Sequence, residues 1–170
     1  MQNKTNLLGY SQKSLEVFFK DIDEPSFRAK QLLKWVHQKG ELDFRMMTDF
    51  NKSLRERLKN IAILKTPTVK SVLTSEEGTK KYLVELESGS SVEMVRIPEK
   101  KRMTLCISSQ AGCALQCTFC ATGAQGFDQN LTSDEIIGQV WLANFYDRQE
   151  APITNVVFMG MGEPLLNFDP

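Results

Sequence analysis

Apolar positions recur at helical spacing in the first third of the chain and at alternating spacing in the middle. Ser14-Leu15-Glu16-Val17-Phe18-Phe19 carries one apolar face. Asp23-Glu24-Pro25 reads as a helix start, followed by a stripe of Phe27, Leu32, Leu33 and Val36, with Gly40 as the stop. A third helix is predicted from Lys52 to Ile61, with Leu54, Leu58 and Ile61 inward, and Met46, Met47 and Phe50 read as packing for these helices. From Thr66 the period changes to two. Val69, Val72 and Leu73 precede a turn at Glu76-Glu77-Gly78. Tyr82, Val84 and Leu86 then alternate with Leu83, Glu85 and Glu87, and after Ser88-Gly89-Ser90 the positions Val92, Met94, Arg96 and Pro98 alternate with Glu93, Val95 and Ile97. This pattern predicts a meander of three strands.

Met103-Thr104-Leu105-Cys106-Ile107 reads as a further strand. Thr132-Ser133-Asp134-Glu135 fits a capping box, opening a helix to about Arg148 that buries Ile136, Ile137, Val140, Trp141 and Ala143. The run from Ile153 to Met159 is almost wholly apolar, as in a parallel strand buried on both faces. Strand, loop, helix and strand form one βαβ unit, which cannot close a sheet or barrel by itself, so the sequence reads as cut short. The expected class is α/β. A helical domain at 1–65 and a β-linker at 66–100 precede the first part of a barrel-like core at 101–170.

The loop of that unit holds Cys113, Cys117 and Cys120 in the order Cys-x-x-x-Cys-x-x-Cys, with Phe119 before the last. Three thiolates at this spacing suit a 4Fe-4S cluster with one iron left open for a small molecule. A structural zinc site wants four ligands, and only Cys106 could supply the fourth. Gly160-Met161-Gly162-Glu163-Pro164 follows the second strand, where α/β folds bind ligands, and the Glu163 carboxylate suits an ammonium group.

Composition narrows the setting. A hydrophobic content of 41% suits a globular chain, no apolar run approaches membrane-spanning length, and the polar N-terminus lacks a signal peptide's apolar stretch. The cytoplasm is therefore expected, where a cysteine cluster favours metal or redox chemistry over a disulfide. The formal charge is zero, yet residues 1–65 carry a net of +5 and residues 66–170 a net of −5. A basic helical domain suits an anionic partner such as RNA, although on charge alone a solvated lysine-rich helical surface is the favoured reading.

The cysteine loop, with its aromatic before the third cysteine, resembles that of the radical S-adenosylmethionine (SAM) enzymes. Cys106-Ile107-Ser108-Ser109-Gln110-Ala111-Gly112-Cys113, Glu135-Ile136-Ile137-Gly138-Gln139-Val140-Trp141 and Val156-Val157-Phe158-Met159-Gly160-Met161-Gly162-Glu163-Pro164-Leu165 are similar to one group within them. This is the bacterial ribosomal RNA large-subunit methyltransferase N family, dual-specificity enzymes that methylate adenine carbon 2 in 23S rRNA and tRNA. The resemblance implies that Cys113, Cys117 and Cys120 ligate the cluster, that Gly162 and Glu163 contact the methionine part of SAM, and that Phe119 lines the same site. It further implies that Glu93 accepts the ring proton and that Cys106 forms a transient disulfide with a methyl-carrying cysteine. No cysteine follows Cys120, so the chain alone is expected not to complete methyl transfer. A monomer, an electron donor for the cluster and no membrane partner are also expected. A related adenine carbon-8 methyltransferase is the neighbouring alternative, although Pro164 fits the carbon-2 family better. A non-catalytic metal- or RNA-binding fragment is the alternative of another class.

Overall fold

The computed structural model describes residues 4–115, 117–146 and 151–168. The chain folds as two units, one at residues 1–65 and the other at 66–170.

In the first unit, the strand β1 (Thr5–Asn6) leads into three ten-residue helices, α1 (Gln12–Asp21), α2 (Arg28–His37) and α3 (Lys52–Ile61). The short strand β2 (Ala62–Ile63) then pairs with β1 in parallel. Local chemistry sets the helix starts. Ser11 Oγ accepts the Ser14 N–H, and Asn51 Oδ1 accepts the Leu54 N–H at 2.8 Å, each satisfying an amide that the first turn leaves over. Leu15, Phe19, Ala29, Leu32, Val36, Leu54 and Leu58 fill the core, and the Phe19 and Phe50 rings lie 6.1 Å apart.

Three expectations fail here. Helix α2 begins at Arg28 rather than Pro25, and Phe27 is 53% exposed. Five helical positions separate Phe27 from Leu32, which puts the two about 140° apart around the axis; the inward stripe is Ala29, Leu32 and Val36. Met46, on a 3₁₀ turn (Phe44–Met46), is exposed, while Met47 is fully buried.

The second unit is built on a five-stranded sheet in the order β3 (Thr68–Thr74), β4 (Lys80–Glu85), β5 (Ser91–Glu99), β6 (Arg102–Cys106), β9 (Asn155–Val157). The first four strands form an antiparallel meander, and β9 runs parallel to β6. Between β6 and β9 lie β7 (Gln110–Gly112), the four-residue helix α4 (Ala121–Ala124), β8 (Phe127–Asn130) and helix α5 (Ser133–Phe145). The capping box is present at the start of α5, with the Glu135 carboxylate accepting the Thr132 N–H at 3.0 Å. Tyr146 is the C-cap of this helix, and Asp147 and Arg148, expected to extend it, lie outside the described residues.

Alternation along the meander sorts the sheet into two faces. Tyr82, Val84, Val92, Met94 and Leu105 point to one side, where they form a single core with Ile136, Leu142 and Ala143 of α5. Lys81, Leu83, Glu93, Val95, Thr104 and Cys106 fall on the other. The strand expected over 153–159 is shorter and more open than its composition suggests: Val156 is 42% exposed and Met159 80%. The reason is position, since β9 forms the edge of the sheet among the described residues. Among those residues no helix is long and apolar enough to cross a membrane.

Candidate functional site

Strands β7 and β8 form a short antiparallel hairpin that encloses the cysteine loop, an arrangement the sequence pattern did not announce. A bulge leaves Asp128 as the extra residue on β8, and its carboxylate accepts the Ser90 hydroxyl from the β4–β5 turn. At the loop's entry Gly112 adopts φ +73°, and the Cys113 N–H donates to Gly126 O at 3.0 Å. Cys113 is buried; Cys117 and Cys120 are partly exposed. The Cys120 N–H donates to Cys117 O at 3.0 Å, which curls the chain into α4. Cys117, Thr118, Gly123, Ala124 and Gly126 line an open cavity of about 390 Å³.

The thiols differ electrostatically. The N–H groups of Gly123 and Thr122, with the Thr122 hydroxyl, point at the Cys120 sulfur and hold its pKa below the ordinary thiol value. Burial pushes the Cys106 thiol up, partly offset by the Met159 N–H. A lower pKa gives more thiolate at a given pH, so Cys120 is expected to be alkylated by iodoacetamide well before Cys106 near neutral pH. Peptide mass mapping of a time course checks the order, and equal rates would contradict it.

Against the end of β6 sits the 160–163 turn, held by a buried polar hub. Ser108 Oγ donates to Glu93 O at 2.6 Å and accepts the Met161 N–H at 2.8 Å. Gln139 of α5 grips the same residue from the other side: its Oε1 accepts the Ser108 N–H and its Nε2 donates to Ser108 O, both at 2.9 Å. Met161 O accepts the Ser109 and Gln110 N–H groups, and Gln110 Oε1 accepts the Glu163 N–H at 2.9 Å. Asn167 Nδ2 donates to Ser109 O and Leu131 O. The Glu163 carboxylate accepts the Leu165 N–H at 3.1 Å and so caps the 3₁₀ turn Pro164–Leu166.

Ser108, Gln110, Gln139 and Asn167 are buried and polar, and sequence reasoning assigned none of them a part. One signal was available: Gln139 lies three positions after Ile136 and four before Ala143, on the inward face of α5. A polar side chain there needs a buried partner.

The structure places the predicted residues in two groups. The Gly162-Glu163 turn is hydrogen-bonded to Gln110 of β7, the strand that leads three residues on into Cys113 and the 113–120 loop. Glu93 and Cys106 share the sheet face opposite α5. A cross-strand row runs Lys81, Val95, Cys106, Val157, and Lys81 Nζ lies 2.9 Å from Glu93 Oε1. Phe119 is 92% exposed. The three loop thiols are not drawn into one ligand cage: among the described residues no group of three Cys, His, Asp or Glu side chains is set to hold a metal ion. The donor set nevertheless suits an iron–sulfur cluster. It offers three thiols on one anchored loop, and backbone amides at the Cys120 sulfur of the kind that stabilise a ligating thiolate.

The fold has a close counterpart. A crystal structure of a radical SAM methyltransferase from Sphaerobacter thermophilus superposes with a TM-score of 0.88 and 34% identity, over 97% of this chain and 49% of that one. The fold is thus that of a radical SAM methyltransferase, over the half that is shared. Residues 5–64 match the family model described as the ribosomal RNA large subunit methyltransferase N-terminal domain. Two relatives carry the name dual-specificity RNA methyltransferase RlmN. That of Marinobacter nauticus is 54% identical over 98% of this chain and 46% of its own length, and that of Pseudomonas fluorescens 56% identical over 98% and 45%. The chain belongs to the RlmN family and corresponds to its N-terminal portion. It spans about half the length of the curated relatives it matches.

Proposed function

We propose that this chain supplies the cluster-binding and SAM-binding part of an RNA methyltransferase that methylates carbon 2 of an adenosine in 23S rRNA and in tRNA. The observation that carries the reading is Gln110, whose buried side chain accepts the Glu163 N–H while its own strand, β7, leads directly into Cys113, both next to the ends of the adjacent parallel strands β6 and β9. Family membership and the names of the relatives support the reaction class, and the net +5 charge of residues 1–65 supports a polyanionic substrate.

Cys113, Cys117 and Cys120 would hold a 4Fe-4S cluster. When bound, the cluster supplies the electron that cleaves the sulfonium of SAM. The chain's own residues do the rest of the work proposed for this half. The Glu163 carboxylate and the backbone of Gly162 would hold the ammonium and carboxylate of the methionine moiety, with Phe119 beside them. Glu93 would accept the proton from carbon 2. It stands on a half-exposed sheet face, where Lys81 braces its carboxylate at 2.9 Å. Cys106 lies on that same face and would attack, as thiolate, the sulfur of the methyl-carrying cysteine, forming a disulfide as the carbon–sulfur bond to the base breaks. The electron pair of that bond would leave on carbon, which takes up a proton to complete the methyl group. The Met159 N–H at the Cys106 sulfur favours the ionised form against the cost of burial.

Anaerobic reconstitution of the chain with iron and sulfide tests the reading. Wild type is expected to take up about four irons and four sulfides with the broad absorbance of a 4Fe-4S cluster. Cys117→Ala is expected to lose that absorbance. Uptake of one zinc per chain with no iron uptake would overturn the reading in favour of a metal-binding module.

A further inference from the structure

Gln110 is 1% exposed and makes more hydrogen bonds than its place in a hairpin requires. The β7–β8 pairing is a backbone pairing, with Gln110 opposite Asn130, and does not depend on the Gln110 side chain. That side chain instead reaches across to the other loop. Its Oε1 accepts the Glu163 N–H at 2.9 Å, and its Nε2 donates to Asn130 Oδ1 at 2.8 Å, which fixes the direction of the amide. The Gln110 N–H donates to Met161 O at 3.2 Å. Gly162, at φ +92°, presses so close that a Cβ there would lie 2.5 Å from Gln110 Cβ and 2.7 Å from Gln110 N. The 161–163 peptides are therefore seated on Gln110, while the next residues of β7 run into Cys113.

We propose that Gln110 is a positioning residue for SAM. It holds the Gly162-Glu163 backbone in the orientation that presents the Glu163 carboxylate to the methionine moiety, and ties that orientation to the strand that feeds the cysteine loop. This rests on the reading of the turn as the SAM site. An apolar side chain of equal length fills the same space but leaves the Glu163 N–H without its acceptor, loosening the Glu163 end of the turn while the hairpin stays closed.

The test uses this chain, reconstituted anaerobically, and measures iron and sulfide content, melting temperature and the affinity for SAM by equilibrium dialysis. In Gln110→Met the cluster content is expected to match wild type and the affinity to fall about tenfold, the equivalent of one buried hydrogen bond. Gln110→Glu keeps an acceptor oxygen for the Glu163 N–H, and the Asn130 amide can turn its Nδ2 to meet it, so much of the affinity is expected to return. Should Gln110→Met fail to fold, Asn130→Ala leaves the acceptor in place but cuts its tether, with a smaller loss of affinity expected at full cluster content. Unchanged affinity in a folded Gln110→Met, or in Asn130→Ala where that variant stands in for it, overturns the proposal. So does a parallel loss of cluster and SAM binding, which would make Gln110 a structural member of the loop. A cluster-loaded wild type that binds no SAM overturns instead the underlying assignment of the turn.

Discussion

Gly112→Ala is expected to unfold the hairpin around the cysteine loop and to abolish cluster uptake. A Cβ at this position would stand 1.9 Å from Gly126 O, 2.9 Å from Gly126 C and 3.2 Å from Phe127 Cα. All three are backbone atoms, so no side chain can swing aside. The residue also sits at φ +73°, which costs an L-residue roughly 1–2 kcal/mol before any clash. Relief requires β7 and β8 to part at the point where Cys113 N–H meets Gly126 O, the bond that anchors the loop. The combined cost is on the order of 3–5 kcal/mol, in the range that backbone strain and broken pairing reach together. Urea unfolding followed by a probe in residues 66–170, with iron content measured in parallel, checks it. A variant of wild-type stability that fills with iron would show that the close approach is not maintained in solution.

Gln139→Leu has the second large effect. Leucine suits the helix and the volume, and the sequence around it is apolar, so pattern alone would rate the change harmless. In the structure Gln139 is fully buried and its amide satisfies both the N–H and the C=O of Ser108. Removing it strands two backbone groups in the core, each costing about 1–3 kcal/mol. Destabilisation of about 2–5 kcal/mol is expected from chemical denaturation, with loss of exchange protection at the Ser108 amide. Because Ser108 in turn receives the Met161 N–H, the 160–163 turn is expected to loosen with it. Protection at Ser108 as strong as in wild type would contradict the assignment.

Residues whose partners lie nearby in sequence were readable. The meander follows from alternation and two glycine turns, α3 from the spacing of its leucines, and α5 from its capping box. The cysteine loop was readable because its signal is spacing. What escaped depends on partners far along the chain. Strands β7 and β8 are three and four residues long, without apolar alternation, and pair across the loop they enclose. Ser108 meets Gln139 over 31 residues and Met161 over 53, and no local pattern marks such a junction. Phe27 misled for the opposite reason: an apolar residue just before a helix looks like part of its stripe until its angle around the axis is counted.

The row Lys81, Val95, Cys106, Val157 crosses four strands with each side chain on the same face. In a strand, facing is decided by odd or even position, so one residue added or removed within β5 or β6 would carry Glu93 or Cys106 through to the α5 side and push a core residue out. An insertion or deletion inside β5 or β6 would therefore turn one face of the sheet inside out, whereas one in the turns around Gly78 or Gly89 would leave the facing of Glu93 and Cys106 unchanged.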